Sequence, residues 1–199
     1  MTKTGARERL PQKESREKAL AAARAILIEQ GPQAVTLKAV AARIGRTHAN
    51  VLHHFGSAHG LQTELARTIG EHVTRKIGEA VLSVRRGEAD PRTIVDEAFD
   101  AFAKEGVGPL CSWMALSGDF AELTPILKAI HGLVDQLADP DHVTVPQITL
   151  SLTLTALGDT LLGGAMAEEL GLPRESAREI ALQQLLSMVG PDYGKKAAA

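Results

Sequence analysis

TLKAVAARIGRTHANVLHHF, residues 36–55, holds two short apolar-periodic segments, each opened by a threonine and separated by one glycine. Leu37, Val40, Ala41 and Ile44 fall at helical spacing after Thr36, a candidate N-cap, and Gly45 ends the run. Thr47 opens a second helix two residues later, with Val51 and Phe55 positioned to face back toward a core. A helix, a glycine-containing turn and a second helix make the helix-turn-helix arrangement, although helical hairpins without that function share parts of it. Ala41 is small where the two helices approach, and Gly45 can take the positive φ that the turn requires.

Helical spacing continues on both sides. Leu20, Ala23, Ile26, Leu27 and Gln30 predict a helix over 15–30, stopped by Gly31-Pro32. Ser57 can cap a longer helix with Leu61, Leu65, Ile69, Val73, Ile77, Val81 and Val84 inward, ending near Arg85-Arg86-Gly87 where cations suit a C-terminus. About 27 residues at about 1.5 Å each give a rod of roughly 40 Å. Asp90-Pro91 starts a helix with Ile94, Val95, Ala98, Phe99 and Phe102 inward, ended by Gly106. Pro109 to Leu116 predicts a short helix, and Thr124-Pro125 starts another through Leu137. In 143–170, Ile148, Leu150, Leu152 and Leu154 alternate with polar residues as a strand would. Thr144, Pro146 and Gln147 nevertheless suit a helix start with a capping box, and Leu157, Leu161, Leu162 and Met166 continue at helical spacing. A helix apolar nearly all round is buried on several sides, which points to a subunit interface as well as a core. Ala177, Ile180, Ala181, Gln184, Leu185 and Met188 define a last amphipathic helix, closed by Gly190-Pro191.

Composition agrees with an all-α chain. Apolar residues make up 44% of 199, enough to fill a core, and aromatics only 3%, a balance that favours helices packed on helices. Cys111 is the single cysteine, so no intrachain disulfide forms and the fold needs no oxidising compartment. The polar N-terminus lacks the apolar core of a secretory signal, and the longest uncharged run, Val143 to Gly158, is short for a bilayer. A cytoplasmic location without membrane association is the expectation. Residues 1–60 carry ten Lys/Arg against four Asp/Glu, while 61–199 carry twelve against twenty. A first segment of that charge suits a polyanion, an ordinary uneven surface being the alternative.

The stretch AARAILIEQGPQAVTLKAVAARIGRTHANVLHHFGSAHGL resembles the TetR family of transcriptional regulators. It follows that family's G-x-x-x-x-T-x-x-x-I-A, G-x-S-x-x-x-x-Y-x-H-F and S-x-x-x-L patterns across Ser15 to about Leu65. The resemblance implies a helix-turn-helix DNA-binding domain over 1–56. It also implies a connecting helix with a ligand-binding and dimerisation domain over 57–199. Dimerisation would use helices near 145–168 and 174–189, with Gly158, Gly163, Gly164 and Ala165 permitting close helix approach between subunits or within one. Three positions depart from the pattern. Arg46 stands where an apolar turn residue is usual, Leu52 replaces a tyrosine, and Ala58-His59 replaces a lysine at the start of the fourth helix.

A recognition helix enters the major groove N-terminus first, with flanking groups holding phosphates. Thr47 would cap the helix and donate its hydroxyl to phosphate, and Asn50 can pair bidentately with adenine or be a plain surface residue. His48, His53 and His54 supply donors, Ala49 lets the backbone approach the duplex, and Lys38, Arg43 and Arg46 add charge. The three histidines do not form a metal site. At about 100° per residue, i, i+5 and i+6 lie on different faces, and no cysteine or carboxylate stands by to complete four ligands. No nucleophile–base pair or paired carboxylates signal catalysis, and no cofactor is implied.

The resemblance also implies a pocket for a small, apolar or amphipathic effector, with Phe99, Phe102, Leu110, Trp113, Met114, Phe120, Ile130 and Leu162 as candidate lining and His131 or Ser117 as polar handles. The expected function is a homodimeric repressor on a palindromic double-stranded operator, released by that effector. An effector-independent DNA-binding dimer is the alternative.

Overall fold

The computed structural model describes residues 12–117, 123–138, 144–190 and 193, and every regular element among them is helical. The chain divides into two compact units, one holding the described residues up to Leu65 and the other running from Ala66. The division falls inside the long helix α4 (Ala58–Arg85) rather than at its start.

In the first unit α1 (Gln12–Gln30) ends at Gly31, whose φ of 84° leads into a 3-10 turn at Pro32–Ala34. The helices α2 (Leu37–Arg43) and α3 (His48–Phe55) come next. Their starts are fixed by the threonines: Thr36 Oγ1 accepts from the Ala39 N–H at 3.1 Å and Thr47 Oγ1 from the Asn50 N–H at 3.2 Å. Each cap satisfies a backbone donor that the helix itself leaves unpaired, and stabilises the start by about 1 kcal/mol. Between the helices, Gly45 takes φ 65° while its N–H donates to Ala42 and that of Arg46 to Ala41. This is a regular Schellman closure, so Arg46 does not remodel the turn. Leu20, Ala23, Ile26 and Leu27 of α1, Val35, Leu37, Val40 and Ala41, Val51 of α3, and Leu61 and Leu65 are all buried. Ile44 and Phe55 are half-buried, the latter beneath the Arg16 guanidinium at 5.4 Å.

In the second unit α5 (Arg92–Ala103) packs on α6 (Val107–Ser117), α8 (Val145–Gly158) and α10 (Ser176–Val189), and α7 (Thr124–Leu137) packs on α8. Asp90 Oδ1 accepts from the Arg92 N–H at 2.7 Å and opens α5, which buries Ile94, Val95, Ala98, Phe99, Ala101 and Phe102. Arg178 fastens α10 to α5 through Asp96 at 2.8 Å and Asp100 at 2.6 Å, its guanidinium lying 5.1 Å from the Phe99 ring. A Cβ on Gly108 would stand 2.7 Å from both the Phe102 carbonyl oxygen and Thr160 Cγ2, so glycine is the residue that lets α6 begin so close to its neighbours.

The alternating segment is helical. In α8, Leu152 and Ala156 are buried while Leu150 and Leu154 are exposed, so the apparent strand pattern is two faces of one helix. Thr144 precedes α8, but its side chain does not cap it and the expected capping box is absent. A π turn at Asp159–Gly163 joins α8 to α9 (Gly164–Glu169). The helical stretch Val145–Glu169 is thus 25 residues long, longer than the uncharged run suggested, and by length and composition it could cross a membrane. Asp159 interrupts it. That carboxylate is buried and held by Arg174 at 2.6 and 3.0 Å, an ion pair of a folded domain rather than of a lipid-facing span.

Candidate nucleic-acid interface and apolar cavity

Helix α3 gives a single side chain, Val51, to the buried core of the first unit. His48, Ala49 and His53 are exposed, as is the Thr47 that caps them. Thr47 Oγ1 accepts from the backbone, which leaves its O–H to donate outward. Lys38, in the first turn of α2, is also exposed. Thr47 and His48 place donors at the N-terminal end of α3, the end that approaches base edges when such a helix enters a groove, and His53 adds an exposed ring in its last turn.

Other predicted residues are engaged within the unit. Arg43 pairs with Glu29, so its charge is partly neutralised. Arg46 is half-buried. Asn50 is half-buried, with Oδ1 enclosed and receiving no hydrogen bond among the described residues. Bidentate pairing with adenine therefore requires its amide to rotate outward, which would also relieve an unsatisfied carbonyl worth about 1–3 kcal/mol. His54 Nε2 lies 3.2 Å from Oγ of the buried Ser15, so its ring points at α1. Burial, then the neighbouring charges of His53 and Arg16, hold its pKa below the ordinary 6.5. A neutral His54 ties α3 to α1 and acts as a positioning residue for the helix.

Gly60 is a site residue that the helical pattern did not single out. Its N–H donates to Ser57 Oγ at 2.9 Å, and a Cβ there would stand 2.1 Å from the carbonyl oxygen of Phe55, the last residue of α3. The absence of a side chain lets the start of α4 close against the end of α3. Only the proximity of Gly60 to the Ser57 cap hinted at this in the sequence.

The second unit encloses an apolar cavity of about 100 Å³ between α4, α5, α7, α8 and α10. Of the predicted lining residues, Phe102 and Ile130 face it. Phe99, Leu110 and Met114 are buried in the core elsewhere, Trp113 is half-buried away from the cavity, and Leu162 is largely exposed. Phe120 lies outside the described residues, as does the side chain of Ser117. His131 is exposed and pairs with Asp135 at 3.3 Å rather than reaching the cavity. Residues that looked like ordinary core or polar punctuation, Ile77, Ile148, Thr149 and Arg85 among them, form the walls instead. Burial pushes the Cys111 thiol up to about 11, which keeps it protonated and unreactive at neutral pH. Among the described residues, no group of three or more His, Cys, Asp or Glu side chains gathers to hold a metal ion.

Residues 19–64 match the family model for bacterial regulatory proteins of the tetR family. Most of the described N-terminal unit is therefore similar to the TetR-family domain. A likeness in fold to solved structures covers most of the chain. A transcriptional regulator from Rhodococcus sp. Rha1 superposes with a TM-score of 0.59 at 20% identity, covering 87% of this chain and 96% of that one. The multidrug binding protein EbrR, crystallised with imidazole, superposes with a TM-score of 0.58 at 18% identity, covering 85% and 93%. Among curated proteins none matches the chain in sequence. The match of the TetR model supports DNA-binding regulation.

Proposed function

We propose that this chain is a homodimeric transcriptional repressor that binds a palindromic operator through α3 and is released when a small molecule occupies the cavity of the second unit. The observation that supports the DNA-binding part is α3 itself, a capped helix held to the unit by Val51, His54 and Phe55, with Thr47, His48, Ala49 and His53 turned to solvent. In this reading Thr47 and Lys38 hold phosphates, while His48, Asn50 and His53 face base edges and Ala49 admits the backbone. Arg43, Arg46 and His54 contribute through their position in the unit more than through direct contact. A two-fold dimer would place two such helices in successive major grooves.

The dimer surface we assign is the outer side of α8, α9 and α10. Leu150, Leu154, Leu161, Leu162 and Met166 are each more than half exposed there, a spread of apolar side chains that a solvated surface does not favour. Gly158 opens on free space and is available for close approach of a partner, whereas Gly163 serves its own chain, since a Cβ there would strike the Asp159 carboxylate at 2.0 Å. Release results if the effector prefers a conformation in which the paired recognition helices no longer match the groove spacing.

Selection of fragments from the source genome, then fluorescence anisotropy on the enriched site, tests this reading. We expect binding by a dimer with affinity that falls steeply as salt rises. Absence of any site enriched over bulk DNA would overturn it.

A further inference from the structure

We infer that the cavity of the second unit is built for a small amphipathic carboxylate whose head group is met by Arg85. This deepens the effector reading above and rests on the cavity being the effector site.

Arg85 lies at the end of α4 and forms part of the cavity wall. Its Nη2 donates to the Leu137 carbonyl at 2.9 Å, but its Nε–H is enclosed and meets no acceptor among the described residues. Two of the hydroxyls on the cavity wall are turned away from it. Thr74 donates to Gly70 O at 2.8 Å and Thr149 to Val145 O at 2.9 Å, each turned back onto its own helix. No described lining residue is an aspartate or glutamate. The cavity wall therefore includes one permanent cation, Arg85, whose enclosed Nε–H becomes available to a ligand once the guanidinium turns, among aliphatic and aromatic walls such as Ile77, Ile130 and Phe102. An unsatisfied donor on a charged group is among the costlier arrangements in a folded protein, and a ligand that brings an anionic acceptor removes the cost. A carboxylate forms charge-assisted bonds to guanidinium roughly twice as strong as a neutral acceptor does, and an amine is repelled. The apolar walls require that the rest of the molecule be hydrocarbon.

The test is calorimetric titration of the full-length protein with hexanoate, 1-hexanol and hexylamine, extended from four to ten carbons. We expect the carboxylate to bind at least tenfold more tightly than the alcohol of the same length, and the amine to bind weakest. Arg85→Met should abolish the carboxylate preference while leaving alcohol affinity within about threefold, and Arg85→Lys should restore part of the preference. Equal binding of alcohol and carboxylate by the unaltered protein, a preference that survives Arg85→Met, or no binding across the series would overturn the inference. Should Arg85→Met fail to fold by circular dichroism, the head-group ranking of the unaltered protein and Arg85→Gln decide the matter. Operator release measured in parallel separates the two readings. Carboxylate binding that depends on Arg85 but leaves DNA bound supports the inference and sinks the effector reading. Release by the alcohol with no carboxylate preference does the reverse.

Discussion

Replacing Gly60 by alanine sets two local effects against each other. In an unobstructed helix the change stabilises by roughly 0.5–1 kcal/mol, because glycine loses more backbone freedom on folding. At Gly60 the added Cβ would lie 2.1 Å from the Phe55 carbonyl oxygen, where real contacts are essentially never under 3.0 Å. The gap of about 0.9 Å must be opened between two pieces of backbone, the end of α3 and the start of α4, and neither is a flexible side chain tip. Overpacking of this kind costs about 1–3 kcal/mol, enough to outweigh the propensity gain. We expect Gly60→Ala to lower Tm, by about 2–4 °C for each kcal/mol of net loss in a chain of this size, and to weaken operator binding because the recognition helix is displaced. Gly132→Ala in α7 is the matched control. A Cβ there meets nothing within 4 Å, so Tm should rise and DNA binding should be unchanged. Circular dichroism melts with operator anisotropy measure both variants. A Gly60→Ala protein that melts at or above the unaltered one, with full operator affinity, would refute the reasoning.

Three other outcomes are expected. Because His54 has a folded pKa below its unfolded value of about 6.5, the unfolded chain takes the proton first. Stability conferred by neutral His54 is therefore complete above about pH 6.5 and is lost as pH falls toward the folded pKa. Thermal melts between pH 7.5 and 5.5 should show a decline that His54→Gln lessens. Leu154→Glu, on the exposed side of α8, should turn a dimer into a monomer by sedimentation and weaken operator binding, while changing monomer stability by no more than about 0.5 kcal/mol. Cys111, with its thiol pushed up to about 11, should react with iodoacetamide at pH 7.5 far more slowly than a free cysteine, as read by mass spectrometry under native conditions.

The helix-turn-helix was legible because its determinants are local. Thr36, Thr47 and Ser57 each accept from a backbone N–H three residues further along, and α2 is closed by the N–H groups of Gly45 and Arg46, which donate to Ala42 and Ala41. The strand-like alternation at 148–154 was ambiguous for the opposite reason. A helix with apolar residues on its buried and its solvent sides produces the same string, and only the packing of Leu152 and Ala156 against the unit distinguishes them. Inward-facing positions could be read from periodicity, but not which inward space they face, so Phe99 and Met114 looked like pocket wall while Ile148 and Arg85 did not. His54 shows the same limit from the other side. Its chemistry allows donation to DNA, and only the fold brings Ser15, 39 positions earlier in the chain, against its ring.

Under the proposed function, the exposed residues that would choose an operator, His48, Ala49 and His53, are separate from Val51, His54 and Phe55, which hold α3 to its unit. Changes at His48, Ala49 or His53 leave the scaffold as it stands. A duplicated copy of this chain can drift to a new set of target genes by exchanging those few residues, without passing through an unfolded intermediate on the way.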